Sequence, residues 1–391
     1  MLCPLDTSRY GRCQAHVRSQ PAPYYVLLLA ALATACGHTD PFDSSRPDVG
    51  PSSSGSDVNL TLNPEQNYWP TLTEDSAGVL YQFSDVNLGS IAPRHRCMGL
   101  LPVTGGTRFW QWCDTRATES DSSSSFAAYA MGRDGRLLYV EIVTPRLFPF
   151  QTPDTKVWLA DSSAPFRRRL LVTLPVVIGD STINWFADLT WTGPNTFIGL
   201  GQQYLPEAGP PIDSVYRGQF VVRGAINDQG AVLTAVAGTA GATSFSLAED
   251  GASIIFTRID NTNLLKVPAD GGVPEIAASA TARTGVQLFG ISCRNSTCVT
   301  AVGPARLSAL TGSTEAVGSG PFELLSVALA TGTASTVLSR SQVLSSPLLL
   351  RSGDVIAQLG AGYGRLQTNN SGAQALHLYK ALVPSRVTAD K

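Results

Sequence analysis

Short turns recur along this chain at a nearly constant spacing, and each is followed by an apolar run typical of a β-strand. Four turn glycines are separated by 57 or 58 residues, namely Gly78, Gly135, Gly193 and Gly251. Gly353 follows after 102 residues, and the turn at Asn295-Ser296 divides that interval. The chain therefore contains six units. No long stretch has helical periodicity, and strand repeats at a fixed period indicate similar units stacked side by side.

The clearest unit runs from Thr243 to Ile276. Its first strand, Ser244–Leu247, precedes an Asp250-Gly251 turn, and Gly tolerates the left-handed backbone of a tight hairpin. A third strand is expected at Leu264–Val267, and Asp270-Gly271-Gly272 begins an outer hairpin. Units of four strands close into a ring with short protected edges. We predict an all-β, six-bladed β-propeller of four-stranded antiparallel blades over residues 61–391, with seven blades or an irregular propeller as the alternative.

The same unit carries a resemblance to a known family. The residues concerned are Phe245-Ser246, Asp250-Gly251, Ile254, Phe256, Leu264, Lys266-Val267 and Gly271-Gly272 followed at a distance of two by Pro274. They resemble the repeat of TolB-like six-bladed β-propellers. Leu247-Ala248-Glu249 stands where that repeat has Pro before Asp-Gly, and Phe245 stands where Trp is common. The resemblance implies a blade architecture and no chemistry. The α/β domain that precedes the propeller in TolB has no counterpart, so TolB's partners are not carried over.

The first sixty residues predict export and a lipid anchor. Val26 to Ala35 is an apolar run of ten residues, shorter than the roughly 20 that a membrane-spanning helix needs, and is typical of a signal peptide. Leu32 to Cys36 resembles a bacterial lipobox, so residues 1–35 are expected to be removed and Cys36 to carry the lipid. An ordinary cleaved signal is the alternative. The segment before the apolar run is long for a signal peptide, and we hypothesise that translation starts at Val17.

The segment that follows Cys36 predicts how the protein is held. Gly37, rather than Asp, is expected to favour the outer membrane. Residues 36–60 are rich in Pro, Ser, Gly and Asp and predict a lipidated cysteine followed by a flexible tether. The net charge of −2 and the low charged fraction of 15% give no reason to expect a nucleic-acid partner.

Four of the seven cysteines are expected to pair as disulfides. Cys293 and Cys298 flank a four-residue segment that contains the Asn295-Ser296 turn, and Cys97 and Cys113 are symmetric about Gly105. Residues directly opposite each other on a hairpin are close enough for a disulfide, and exported proteins retain such bonds. We predict the pairs Cys97–Cys113 and Cys293–Cys298. A metal site is the weaker interpretation, since neither pair has a His or a second Cys pair nearby in sequence.

The sequence contains no recognisable catalytic motif. No G-x-S-x-G occurs, and His95 and His377 are interpreted as surface or strand residues. The glycine-rich stretch Gly360–Gly364 precedes no helix, so it predicts a loop rather than a phosphate cradle. Neither a metal nor a cofactor is expected. Three further groups of residues receive structural interpretations: strand tryptophans as blade core, Arg167-Arg168-Arg169 as a solvated sheet edge, and the pairs Glu74-Asp75 and Glu249-Asp250 as turn residues.

Two classes of function fit these features. The first is a binding scaffold, lipid-anchored in the cell envelope, that presents a rigid face to a protein, peptide or glycan. The alternative is a hydrolase or lyase whose active site is assembled from several blades at the central funnel, since such a site leaves no local motif. Ionisable side chains from three or more blades that meet at one mouth of the channel would favour the enzyme.

Overall fold

The computed structural model describes the following residues: 57–60, 66–84, 96–105, 108–113, 122–145, 154–206, 214–258, 262–280, 286–307, 314–316, 321–341, 343–360, 375–380 and 383. The chain divides into residues 1–43 and a compact unit of residues 44–391, to which all described residues belong. The predicted signal peptide, the lipobox Cys36 and most of the predicted tether lie outside the described residues. In the described part of the chain, no helix is long and apolar enough to cross a membrane.

The described secondary structure is entirely β. The first fourteen strands are β1 (Asp57–Asn59), β2 (Gln66–Leu72), β3 (Gly78–Ser84), β4 (Arg96–Pro102), β5 (Trp110–Cys113), β6 (Ser122–Met131), β7 (Arg136–Pro145), β8 (Asp154–Asp161), β9 (Ala164–Leu174), β10 (Val176–Ile178), β11 (Ser181–Ile183), β12 (Trp185–Gly193), β13 (Thr196–Pro206) and β14 (Ser214–Asn227). The others are β15 (Gly230–Ala235), β16 (Ala242–Leu247), β17 (Ser253–Arg258), β18 (Asn263–Pro268), β19 (Glu275–Ser279), β20 (Gln287–Arg294), β21 (Thr297–Gly303), β22 (Ala305–Leu307), β23 (Thr314–Ala316), β24 (Phe322–Ala328), β25 (Thr333–Arg340), β26 (Val343–Leu349), β27 (Val355–Gly360) and β28 (Ala375–Tyr379).

Six four-stranded antiparallel sheets form the blades of a β-propeller, as predicted. From the innermost strand outward, blade 1 is β2-β3-β4-β5, blade 2 is β6-β7-β8-β9, blade 3 is β12-β13-β14-β15 and blade 4 is β16-β17-β18-β19. Blade 5 is β20-β21-β24-β25, and blade 6 is β26-β27-β28-β1. Two small hairpins, β10-β11 and β22-β23, lie outside the blades.

The ring is closed by the N-terminal strand. β1 pairs with β28, with Asp57 opposite Tyr379, and supplies the outermost strand of the last blade. The propeller therefore begins at Asp57, whereas the sequence boundary assigned residues up to 60 to the tether. Closure of this kind joins the two ends of the chain in one sheet, so neither end of the propeller can separate without breaking blade 6.

The core lies between successive blades. Blades 1 and 2 pack through aromatic residues such as Tyr129 and Tyr139, blades 2 and 3 through residues such as Phe186 and Phe197, and Phe256 packs between blades 3 and 4. Each of these five side chains is at most 2% exposed. The second strand of a blade is apolar on both faces because a neighbouring blade covers each side. β17, the second strand of blade 4, is buried on both faces.

The sequence predicts long loops at Gln202–Asp213 and Ala117–Ser125, and part of each is strand. Gln202–Pro206 continues β13 and pairs with the beginning of β14, and Ser122–Ser125 belongs to β6. Polar and proline-containing sequence indicated loops here. The antiparallel partner supplies the backbone hydrogen bonds that the local sequence does not favour.

Candidate binding site at one mouth of the propeller

All six first-hairpin turns lie at the same mouth of the propeller. The chain enters each blade by its innermost strand, so those strands run in one direction around the axis and their ends meet. The turns are Thr73–Gly78, Gly132–Arg136, Gly193–Thr196, Ala248–Ser253, Arg294–Thr297 and Leu350–Asp354. We call this region the first-hairpin mouth.

Turn chemistry explains why the chain reverses at these points. Gly135, Gly251 and Gly353 have φ of +80°, +67° and +84°, and Asn295 and Ser296 have φ of +48° and +58°. Glycine adopts this left-handed conformation without steric cost, and Asn tolerates it. Gly78 and Gly193 instead lie beside their turns at strand ends with ordinary φ. In blade 1 the left-handed residue is Ser76, with φ of +60°.

One backbone hydrogen bond recurs in all six blades and holds each first-hairpin turn to its own blade. An N–H at the end of the third strand donates to a carbonyl in the first-hairpin turn over 2.8 to 3.1 Å. The six pairs are Val103 to Ala77, Ser162 to Gly135, Ile226 to Asn195, Ala269 to Ala252, Leu329 to Ser296 and Val383 to Gly353. Each turn on this face is therefore fixed to its own blade, which gives a preorganised surface.

The acidic pairs that the sequence singled out are turn residues with a second role. Asp75 and Asp250 each accept a hydrogen bond from the N–H two residues ahead, at 3.0 and 2.8 Å. Glu74 accepts the N–H of Arg133 in blade 2 at 3.1 Å. Glu249 accepts the N–H of Asn295 in blade 5 at 3.0 Å. Each pair thus caps its own turn and ties it to the next blade.

Arg294 reaches furthest across the mouth. Its Nε donates to the carbonyl of Leu349 in blade 6 at 2.9 Å, and its Nη2 donates to Oγ of Ser76 in blade 1. The side chain is half-buried and links three blades. The Cys293–Cys298 disulfide closes the hairpin that carries Arg294, with Cα atoms 4.0 Å apart.

The charge at this part of the mouth is only partly balanced. Burial lowers the pKa of Arg294, the neighbouring charge of Arg351 lowers it further, and Glu249 opposes both effects. Within the described residues, neither Arg294 nor Arg351 forms an ion pair with a carboxylate. Two guanidinium groups from adjacent blades therefore share a positively charged corner, which favours an anionic group on a ligand.

Asp188 is an acidic residue on the innermost strand of blade 3. It lies on β12, directly after a bulge at Ala187, and is half-buried. Burial raises its pKa to about 7, against which the hydrogen bond from the N–H of Leu189 acts only weakly. No cationic side chain contributes to this pKa. A carboxyl group that titrates near neutral pH is suited to acid–base chemistry.

A bulge interrupts the innermost strand of every blade. Register shifts occur between Tyr68 and Thr71, Phe126 and Ala128, Phe186 and Asp188, Ala242 and Ser244, Phe289 and Ile291, and Ser345 and Leu348. A bulge bends an edge strand and makes it a poor template for pairing with another chain.

Most loops at the opposite mouth lie outside the described residues, including 85–95, 146–153, 207–213 and 361–374.

The other residues predicted from sequence occupy blade positions. Cys97 and Cys113 form the second disulfide, between β4 and β5. The six tryptophans lie on strands: Trp69, Trp110, Trp112 and Trp158 pack between blades 1 and 2, and Trp185 and Trp191 between blades 2 and 3. The Arg167–Arg169 cluster is on β9, the outermost strand of blade 2. His377 stacks on Tyr379 in β28, and His95 lies outside the described residues.

Arg294, Arg351 and Asp188 were not found from the sequence. The segment Arg294–Thr297, between Cys293 and Cys298, was interpreted only as a turn. An arginine next to a disulfide-bonded cysteine is held in place, and that position could have indicated a functional role. Asp188 had no local signal, because its burial depends on neighbouring blades. The part of the chain that the structure describes contains no group of three or more His, Cys, Asp or Glu residues arranged for a metal ion.

Comparison with known proteins adds little beyond the fold. No protein-family model and no curated protein matches this chain. Among solved structures, a putative TolB from Agrobacterium tumefaciens aligns with 12% identity and a TM-score of 0.42, over 82% of this chain and 93% of that one. An oligogalacturonate lyase in complex with manganese aligns with 12% identity and a TM-score of 0.45, over 87% and 96%. A gluconolactonase from Xanthomonas campestris aligns with 10% identity and a TM-score of 0.46, over 83% and 88%. These similarities are too low to carry an argument about function.

Proposed function

We propose that this protein is a binding scaffold of the bacterial cell envelope, anchored by lipid at Cys36, that holds a protein, peptide or glycan partner at the first-hairpin mouth. The observation that carries the proposal is the charged corner formed by Arg294 and Arg351 on a face whose six turns are fixed by equivalent hydrogen bonds. A rigid surface loses little conformational entropy when it binds a partner.

The chemistry of this corner limits the partner. Arg294 uses two of its nitrogens in holding blades 6 and 1, while Arg351 is exposed. Two guanidinium groups that form no ion pair within the described residues favour a partner that offers an acidic group, such as an acidic peptide side chain or a uronic-acid sugar. The partner's acid would neutralise charges that the propeller leaves side by side.

The lipid anchor is supported by the sequence before the propeller. The apolar run Val26–Ala35 ends at the lipobox cysteine, and two or more acyl chains hold a protein stably on a membrane. Gly37–Ser56 supplies 20 residues of tether. A linker of this composition has a root-mean-square span of about 25 Å. It joins β1 at Asp57, which lies at the first-hairpin end of blade 6 because Asp57 pairs with Tyr379 and Tyr379 pairs with Val355.

Two experiments test the two halves of the proposal. Metabolic labelling with an alkyne fatty acid should mark the wild-type protein and a Cys13→Ala control, but not Cys36→Ala. Labelling that persists in Cys36→Ala would refute the anchor.

For the binding face, a photo-crosslinking amino acid placed at Arg351 in the intact envelope should give a defined adduct. The same probe at Val273, which is 88% exposed on the outer hairpin of blade 4, is the control. The adduct at position 351 should weaken when Arg294→Ala is introduced. Equal adducts at both positions, or adducts that do not depend on Arg294, would refute the site.

The enzyme alternative rests on Asp188. Its pKa of about 7 and its place on an innermost strand suit a general acid or base of a hydrolase or lyase at the funnel. If this alternative is correct, turnover of an envelope polysaccharide or peptide should fall at least 100-fold in Asp188→Asn while Arg351→Ala retains it. Equal activity of the wild type and Asp188→Asn would exclude Asp188 from the chemistry.

A further inference from the structure

A second charged site lies at the rim, between blades 2 and 3. It is an open groove of about 470 Å³, lined by Arg136, Leu159, Ala160, Asp161 and the cluster Arg167–Arg169. We call it the Arg groove. It is separate from the first-hairpin mouth corner formed by blades 5 and 6.

Contacts with blade 3 fix two of the arginines. Arg169 donates from Nη1 to the carbonyl of Asn227 at 2.7 Å. Arg136 donates to the carbonyl of Pro194, and its guanidinium lies 4.9 Å from the ring centre of Trp191. These contacts hold both arginine side chains against blade 3, while every residue that lines the groove belongs to blade 2.

The charges of the groove do not cancel. Arg168 is neutralised by Glu141, whose Oε2 lies 2.9 Å from Nη1, and Arg136 pairs with Asp134 at 2.5 Å. Among the described residues, no carboxylate forms an ion pair with Arg167 or Arg169. Asp161, the acid of the groove lining, accepts hydrogen bonds from the N–H and Oγ of Ser163 at 2.8 and 2.6 Å. A net positive charge remains.

Apolar surface adjoins this charge. Phe166 is 72% exposed and Leu170 is 41% exposed, and both lie on β9 next to Arg167 and Arg169 in sequence. The sequence interpretation of the cluster as a charged edge that prevents strand pairing accounts for the arginines but not for an exposed phenylalanine and leucine among them. Arginine beside an exposed ring is typical of a surface that binds an anionic group with an organic part.

We propose that the Arg groove binds a phosphate group of a phosphate ester. Arg136 on β7 and Arg167 and Arg169 on β9 approach the groove from two strands, and a tetrahedral oxyanion offers oxygens in more than one direction. A planar carboxylate pairs best with one guanidinium in a fork. Leu159 and Ala160, which line the groove, contact the organic part of the ligand. The phosphate belongs either to a soluble ester or to the head group of an anionic phospholipid, and the same residues would recognise both.

The test compares the full-length chain with Arg167→Ala/Arg169→Ala, which alters two exposed side chains. Arg133→Ala is the matched control, because it removes one exposed arginine from the same face, where the Arg133 side chain is 63% exposed beside Glu74. Two probes are used: glycerol phosphate by calorimetry, and vesicles of phosphatidylglycerol in phosphatidylcholine by co-sedimentation. The N-terminal apolar segment is common to all variants and cannot cause a difference between them.

The double variant should bind its probe at least tenfold more weakly, while the Arg133→Ala control changes less than twofold. Binding should also weaken as salt rises, because the interaction is ionic. Loss of glycerol phosphate binding in the double variant identifies a soluble ester site. Loss of phosphatidylglycerol vesicle binding alone identifies a lipid head-group site. If neither probe distinguishes the double variant from wild type, the proposal is wrong. The outcome does not depend on the lipid anchor or on the first-hairpin mouth.

Discussion

Replacing Asp188 by Asn should stabilise the propeller at alkaline pH and leave it unchanged at acidic pH. Burial raises the pKa of Asp188 from an ordinary value of 3.8 to about 7. Between these two values the folded protein keeps a proton that the unfolded chain has lost. The stability of the wild type therefore falls as pH rises from about 4 to about 7 and stays lower above it. Asn cannot ionise, so the variant escapes that loss.

The size of the effect follows from the same values. A pKa that moves from 3.8 to about 7 corresponds to at most about 4 kcal/mol of differential stability. Asp188 is half-buried rather than fully enclosed, and solvent screens part of that cost. We expect Asp188→Asn to be more stable than wild type by about 2 kcal/mol at pH 8.5, or about 3 °C in Tm, and equal to it at pH 3.

Thermal unfolding of both proteins from pH 3 to 8.5 measures this difference. The contrasting variant is Asp75→Asn. Hydrogen bonds from the side chain of Thr73 and then from the N–H of Ala77 lower the pKa of Asp75. That variant should be less stable than wild type at neutral pH, with the deficit shrinking below pH 4. A stability gain for Asp188→Asn that is the same at pH 3 and 8.5 would refute the argument, because it would reflect packing rather than ionisation.

Three further perturbations should change stability in ways that the blade contacts dictate. Removing the Cys97–Cys113 disulfide should cost about 3 kcal/mol and removing Cys293–Cys298 about 2, since the longer loop gains more entropy when opened; Cys-to-Ser variants melted under oxidising conditions measure this, and the reverse order would contradict it. Gly224→Ala should cost about 2–3 kcal/mol, because a Cβ there would lie 2.2 Å from the ring of Phe197; urea unfolding should show partial recovery when Phe197→Leu is added, and no recovery would exclude a ring clash. Arg294→Lys should cost about 1 kcal/mol by urea unfolding, since an ammonium group cannot reach both Leu349 and Ser76; an unchanged midpoint would show that the links between blades are not stabilising.

Local signals were sufficient for the blade architecture. The turn spacing identified six units because each blade must reverse direction at the same point, and Gly135, Gly251 and Gly353 take the left-handed φ that such reversals need. The cysteine pairs were also accessible, since partners opposite each other on one hairpin are decided by the hairpin's own register. The third strand predicted at Leu264–Val267 lies on β18, the third strand of blade 4.

Strand boundaries that depend on a pairing partner elsewhere in the chain were harder to predict from the sequence. Gln202–Pro206 reads as a loop but is strand, because β14 supplies the missing hydrogen bonds. Asp57–Asn59 reads as tether but is strand, because β28 lies more than 300 residues away in sequence and still pairs with it. Sequence reasoning about neighbours has no access to such pairings.

The sequence by itself determined the repeat, the strand character of each unit, the two hairpin disulfides and the turn role of the acidic pairs, because each of these depends on residues a few positions apart. The tertiary structure alone decided which side chains meet. Arg294 contacts Ser76, 218 residues away, and the Arg groove is held by carbonyl groups of blade 3. The burial that raises the pKa of Asp188 likewise depends on the blades around it. These contacts form only when the ring closes, since closure brings together side chains whose separation in the chain carries no local signal.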